Sequence, residues 1–446
     1  MYYKIGLHLK KSKITALLCT KNIIWENFSL ENFSDIFYAI KKALKELLNK
    51  SGVNPGKISH LNIAVDFGQL VKKGVLPRAR IGYLQIGTKP IHDLKPEETF
   101  GPELKELIIT SEVSESNNLS GVLKHFQEAG VEIVVTNTKL SLDNIEEKNL
   151  LKKIGNLCRG KFKVMTGESF ADLGFIRREN TLLYNGLLIK GTEKFFSELS
   201  NICNSLGLYC NIYCLTTNGT LMSMNRTAML PVKTINSPDI SWLVGICNLE
   251  QLKNCLVIRR GDSYIYIAAI RNGVPQISPF PYSKENLKLN ISHPNVLKIP
   301  VTSEKKISSA VKENVFNALK RLNLQDEFLP IVLAGIPYEE FPELFYSNVV
   351  FPVHYIYEGI AGAYGAASAL LEVESNKILV YKKKKETEIE NLWQTLYRNA
   401  EQEGIDLEQE VYKYLKETPL RYLSDEASLV QAILYGNLKY GPYYTD

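Results

Sequence analysis

The sequence predicts a mixed α/β protein of two lobes, residues 1–160 and 161–380, followed by a small C-terminal α+β module, residues 381–446. Three observations predict it. Apolar runs with strand spacing alternate with stretches of helical periodicity, as in α/β units. An apolar run that enters a short basic turn and returns as a second run occurs near residue 10 and again near residue 260. At 446 residues the chain also exceeds the roughly 250–300 residues that one core can serve, so two or three domains are expected.

Taken in order, residues 4–9 and 14–18 flank Lys10-Lys11-Ser12-Lys13 and read as a hairpin with a basic turn. Ile36, Ile40, Ala43, Leu44 and Leu47 share one face of a helix predicted over 36–49. Strands at 61–65 and 81–86, and a helix at 121–129 feeding a strand at 131–135, complete the first lobe. In the second, a helix at 193–206 leads to a strand at 210–215 and a turn at Asn218-Gly219. Residues 256–258 and 264–270 form a second hairpin around Arg259-Arg260-Gly261-Asp262-Ser263, closed by Asn272-Gly273. The tail reads as a charged amphipathic helix, 386–402, and a terminal strand pair, 420–422 with 429–434.

Composition excludes several classes of function. Hydrophobic residues at 45% and charged residues at 23% are globular averages, so a packed and soluble protein is expected. The net charge of +5 is small for this length, and the one dense basic run, Lys382 to Lys385, is followed by acidic residues, as in a solvated loop. Neither nucleic acid nor membrane is therefore expected as a partner. Seven cysteines, Cys19, Cys158, Cys203, Cys210, Cys214, Cys247 and Cys255, make no Cys-x-x-Cys pair and leave one over. Reduced thiols in the cytoplasm are the expectation. The N-terminus opens on strand-forming residues with no apolar signal core, and no span approaches the ~20 residues of a membrane helix.

The second hairpin carries a resemblance. Residues 254–275 can be laid without a gap on a segment in which an apolar strand leads into Asp-x-Gly-Gly-Thr-x-x-Asp and ends in an Asn-Gly turn and a proline. Further segments follow in register: Asn218-Gly219-Thr220, Pro231-Val232-Lys233-Thr234-Ile235, Ala361-Gly362-Ala363-Tyr364-Gly365-Ala366-Ala367 and Thr418-Pro419-Leu420-Arg421-Tyr422-Leu423. Their order and spacing over residues 160–440 resemble the hydantoinase A/oxoprolinase family, within the actin-like ATPase superfamily. Residues 4–15 fall where that family has its first Asp-x-Gly-Gly-Thr-x-x-Asp loop. The resemblance implies a two-lobed actin-like fold. It also implies kinship with the A subunits of ATP-dependent amidohydrolases and of acetone- and acetophenone-type carboxylases, which phosphorylate a substrate oxygen and work with a B subunit.

The chain departs from the family where phosphate would bind. Phosphate cradling needs glycines, because backbone N–H groups must come close to the anion. Metal and γ-phosphate alignment need hard carboxylate oxygens. Here Lys10 and Lys11 replace the first loop's glycines, with Ser12 beside them, and His8 and Thr15 replace its aspartates. In the second loop Arg259 and Tyr266 replace the aspartates, Gly261 survives, and Asp262 and Ser263 stand at the second glycine and the threonine. The family's Ser-Gly-Pro-Ala turn reads Ser237-Pro238-Asp239-Ile240, its Gly/Ser-His-Glu motif reads Gly167-Glu168-Ser169, and residues 276–300 have no Gly-Leu-Gly-Gly-Asp-Ser loop.

The expectation is a degenerate nucleotide site with no catalytic or metal-binding residues and no cofactor. Gly219, Asp239, Gly335 and His354 are further candidates for the cleft. The expected role is a non-catalytic structural or regulatory subunit, in a hetero-oligomer with an intact A-type subunit, a B-type subunit or both. The alternative is an active ATP-dependent amidohydrolase or carboxylase subunit with an unusual site, in which ATP and Mg²⁺ would serve and Lys10, Lys11, Arg259 and Arg260 would hold the anion. A stand-alone protein that binds another anionic ligand is a third reading. Outside these loops, His92-Asp93 reads as a capped loop, His354 as a packed loop histidine, and Cys210 and Cys214 as buried small apolar residues. Tyr435, Tyr440, Tyr443 and Tyr444 could give a contact surface or pack on their own module.

Overall fold

The computed structural model describes all residues except 11, 21–22, 87–106, 114–118, 138–144, 171–173, 262, 279, 281, 285–286, 302–306, 324–328, 348–349, 354, 382–384, 421–426 and 442–446. Lys11, Asp262, His354, the His92-Asp93 pair, Tyr443 and Tyr444 lie outside the described residues.

A nine-stranded sheet runs in the order Tyr412–Pro419, Ala427–Gly436, Leu371–Val380, Leu221–Ser223, Asn211–Leu215, Ile58–Ala64, Tyr3–Lys10, Lys13–Cys19, Ile24–Glu31. It draws strands from either side of the expected boundaries at 160 and 380, and the C-terminal strands extend it rather than standing apart. The first hairpin is as the sequence predicts. Along Tyr3–Lys10 the two-residue period divides the strand. Ile5, Leu7 and Leu9 pack with Ile40, Leu44 and Leu47 of the Ile36–Ser51 helix. That helix starts where Asp35 accepts from Phe37 N at 2.8 Å and stops at Gly52. The opposite face of the hairpin packs on the Tyr355–Ser368 helix through Leu17, Cys19, Ala363, Tyr364 and Ala367. This strand is therefore buried on both sides, which explains its nearly continuous apolar reading.

The second lobe is a sheet ordered Val274–Pro275, Tyr264–Arg271, Cys255–Arg260, Ile331–Ala334, Val350–Val353, with Leu297–Pro300 also paired to Tyr264–Arg271. Val315, Leu319 and Leu322 of the Ser309–Leu322 helix cover one face. Ile240, Leu243 and Ile246 of the Ser237–Leu249 helix cover the other. The Ser237–Leu249 and Tyr355–Ser368 helices thus cross between the two large sheets, and their approach is very close. A Cβ at Gly245 would fall on the Ala361 carbonyl, and one at Gly365 on the Ser241 carbonyl.

Three features went unread in the sequence. The helix expected at 193–206 begins at Phe175 and runs 31 residues to Ser205. Strands Ile108–Val113, Ile81–Ile86, Ile133–Asn137 and Lys163–Thr166 form a separate all-parallel sheet, of which only the second and third were foreseen. The described residues between 276 and 300 form a strap that leaves the second lobe and returns to it. On the way Leu287, Leu289 and Ile291 enter the first lobe's core, and Asn290 N donates to Thr181 Oγ1 at 2.6 Å.

Candidate functional site

The two hairpins face the start of the Ser237–Leu249 helix. In each, the positions matched to the aspartate pair lie opposite one another across the hairpin, His8 with Thr15 and Arg259 with Tyr266. The spacing of seven residues therefore brings the family's two carboxylate positions side by side, and here neither pair contains a carboxylate.

His8 is buried, and its Nε2 donates to the Pro238 carbonyl at 2.8 Å, which fixes the tautomer with the proton on Nε2. The ring lies flush on the Tyr355–Ser368 helix, where a Cβ added to Gly362 would come within 2.6 Å of it. Burial is the main reason that its pKa falls to about 4. The Pro238 bond and Asp239 pull the other way, and Lys10 and Arg259 add to the fall. The imidazole is thus neutral at ordinary pH. Lys10 reaches Asp239 at 3.2 Å, an exposed ion pair that ties the hairpin to the helix start. Thr15 Oγ1 meets Ser29 Oγ at 3.0 Å on the neighbouring strand. Ser12 uses its carbonyl to hold Asn32 N at 2.9 Å.

The second hairpin closes on itself: Gly261 N donates to the Tyr264 carbonyl at 2.8 Å, so the surviving glycine's N–H is committed within the turn. Ser263 accepts from Val301 N at 3.0 Å. Arg259 lays its guanidinium 3.8 Å from the centre of the Trp242 ring. Arg259, Tyr266 and Lys298 are register neighbours on three adjacent strands. With Asp239 and His293 they line a cleft of about 370 Å³, walled by the Ser237–Leu249 helix and the strap. His293 bridges the strap's ends through Phe280 O at 3.1 Å and Pro294 O at 3.0 Å.

Of the candidates read from the sequence, the structure brings Asp239, Arg259 and Tyr266 into this cleft and sets His8 and Lys10 against its helix wall. Gly219 and Gly335 do not line it. Gly219, at φ 81°, lets the chain pass Pro275, where a Cβ would come within 2.8 Å. Gly335, at φ 65°, turns the chain after Ile331–Ala334. Lys298 and His293 were missed because their strap carries no family motif, and only the aromatic and basic residues along 280–298 hinted at them. Cys214 is buried and Cys210 packs against the same core, as expected. Among the described residues lining the cleft, Asp239 is the one carboxylate, and no cluster of three metal-ligating side chains occurs among the described residues. No helix among them is long and apolar enough to cross a membrane.

Two lobes, each built on a sheet with a hairpin directed at the cleft and joined by two crossing helices, define an actin-like ATPase fold. The solved structures give the comparison in detail. The ATP-dependent caprolactamase from Pseudomonas jessenii is similar over 100% of this chain and 89% of its own, at a TM-score of 0.69 and 11% identity. Acetone carboxylase, in a nucleotide-free structure, is similar over 98% of this chain and 88% of its own, at 0.64 and 12%. The two-lobed actin-like fold implied by the sequence resemblance is therefore the fold found. No protein-family model matches the chain, and no curated protein matches it by sequence.

Proposed function

We propose that this chain is a divergent hydantoinase A/oxoprolinase-type protein whose phosphate site has been built over. In this reading it serves in the cytoplasm as a non-catalytic structural or regulatory subunit of a multi-subunit complex. One observation carries the reading: the neutral His8 ring fills the space between the first hairpin and the two crossing helices, where the family has a carboxylate. Mg·ATP does not fit this donor set. An N–H donor stands where a metal needs an oxygen, Lys10 holds Asp239, and Gly261 spends its N–H inside its own turn. Titration calorimetry with Mg·ATP is expected to give no saturable heat. A micromolar, magnesium-dependent dissociation constant overturns the proposal.

A second reading rests on the Arg259, Tyr266 and Lys298 row. An active ATP-dependent amidohydrolase or carboxylase subunit could hold phosphate on those cations with less need of metal. The same titration separates the two, because nucleotide binding that persists in EDTA and is lost in Arg259→Ala supports the second.

The partner in the favoured reading is an intact A-type subunit, a B-type subunit or both. Stable hetero-complexes bury on the order of 2,000 Å² or more and survive dilution. Affinity capture of the chain from its own cells is expected to retain a larger subunit of this type in fixed ratio. Elution as a monomer across a dilution series, with no such protein present, removes the subunit role and leaves a stand-alone binding protein.

A further inference from the structure

A second cleft, about 520 Å³, lies on the other side of Thr217, between the strap and the outer strands of the nine-stranded sheet. Its floor is a sheet face with an unusual pattern. Asn376, Gln431 and Lys416 are register neighbours across three adjacent strands, with Glu374 two residues before Asn376. Side chains two apart on a strand share a face, so Glu374, Asn376, Gln431 and Lys416 form a polar patch on a face that carries Ile433 and Leu429 to either side. The opposite face, through Val373, Val430, Ala432 and Leu434, packs on Leu392, Trp393 and Leu396 of the Lys385–Glu403 helix. A polar patch that lines a cleft beside Leu289, Ile291 and Leu429 is not explained by apolar packing alone.

The charges at this floor are also uneven. Lys233, Arg177 and Lys416 line the cleft against one carboxylate, Glu374, which is paired with Lys233. Behind the floor Arg226 also reaches Glu374, at 4.0 Å, and donates from Nη1 to the Glu372 backbone carbonyl at 3.4 Å, while the Glu372 carboxylate accepts from Thr220 Oγ1 at 2.7 Å. The excess is positive, so the cleft favours an anion. Its uncharged lining asks for something more. Asn376 Oδ1 and Asn218 Oδ1 are buried and have no hydrogen-bond partner among the described residues. For Asn218 the assignment of oxygen and nitrogen is set, since its Nδ2 donates to Glu372 Oε2 at 3.4 Å. Buried acceptors without donors are destabilising until a ligand or water supplies an N–H or O–H.

We propose that this cleft binds a small hydroxylated carboxylate, its acid groups held by Lys233 and Lys416 and its hydroxyl donated toward the Asn376 row. A hydroxyl fits better than an ammonium, because it brings the donor without adding charge beside three cations. Exposed Phe280 and Tyr414 at the mouth offer faces for the ligand's C–H groups. The site shares Thr217, Ser278 and Phe280 with the first cleft but needs none of its hairpin residues, so it stands whether or not nucleotide binds there.

The test uses a minimal pair, L-malate and succinate, which differ by one hydroxyl. Calorimetric titration of the full chain is expected to show malate binding about tenfold more tightly than succinate, the worth of one good hydrogen bond to an otherwise orphaned acceptor. Asn376→Leu should bring malate down to succinate while leaving succinate unchanged. Lys416→Gln, on an exposed strand position, should weaken both several-fold without touching the core. Arg259→Ala, in the first cleft, should change neither. Equal affinity for the two acids, no binding of either at millimolar concentration, or an Asn376→Leu protein that still prefers malate overturns the proposal. Thermal melts of each variant confirm folding, so that a lost signal reports the site.

Discussion

Replacing Gly365 with valine is expected to leave no folded protein. The Cβ alone would lie on the Ser241 carbonyl and 2.8 Å from Gly245 N, and both obstacles are backbone of the facing helix. Neither can swing aside as a side chain would, so the Ser237–Leu249 and Tyr355–Ser368 helices would have to separate. Those helices fill the space between the two large sheets, and their parting exposes Val257, Ala268 and Ile270 on one side and Leu17 and Cys19 on the other. A loss beyond ~5 kcal/mol is expected, comparable with the whole stability of many domains. Gly155→Ala is the control. It lies in the Ile145–Cys158 helix with nothing within 4 Å of its Cβ, so it should be neutral or gain up to about 1 kcal/mol from helix propensity. Soluble yield and thermal melts read both, and a Gly365→Val protein that melts with the wild type would show that the crossing is not as close as described.

The same helix crossing shows what sequence could and could not disclose. Ala361-Gly362-Ala363-Tyr364-Gly365-Ala366-Ala367 was legible as a small-residue segment through its family resemblance, and Gly6 was legible as part of a strand. That Gly6 would clash with Ala363 if it carried a Cβ is a long-range fact with no local signal. Both hairpins were legible because their strands alternate or run apolar, with turn residues between. The full 31-residue helix was read only from residue 193, because Arg178, Glu179, Asn180, Thr181 and Asn185 are buried in its N-terminal half and blur its apolar face. Two of them find partners outside the helix: Tyr83 Oη donates to Glu179 Oε1 at 2.5 Å, and Arg178 Nε to Asn137 Oδ1 at 2.8 Å. In the cleft, sequence could name His8, Lys10 and Arg259 as departures from a pattern. It could not show that His8 is a neutral donor to Pro238, because that follows from burial between elements 230 residues apart.

That burial makes His8 a source of acid sensitivity. Its pKa in the folded protein is about 4, against 6.5 for a free imidazole, so between these values the unfolded chain binds the proton and the folded chain resists it. Stability is therefore intact above pH 6.5 and declines as the pH falls toward 4, by roughly 3 kcal/mol from this residue. His60, also buried and lowered to about 3 chiefly by burial, contributes in the same direction over the same range and below it. His8→Gln retains a donor for the Pro238 carbonyl but cannot titrate, so it should remove part of the acid loss and leave the part that belongs to His60. Urea midpoints measured from pH 7.5 to 4 read the difference, and an unchanged slope would mean that His8 is not buried as a neutral ring. His8→Asp restores the residue type that the family carries at this position. A carboxylate there meets the Pro238 carbonyl with an acceptor and leaves the ring's volume empty beside Gly362, a combination expected to remove about 3–5 kcal/mol. It should gain no magnesium-dependent nucleotide binding, because Lys10 still holds Asp239 and the second hairpin still lacks its carboxylates. If His8→Asp instead folds as well as the parent and binds Mg·ATP, one substitution separates this cleft from a working one, and the non-catalytic role falls with it.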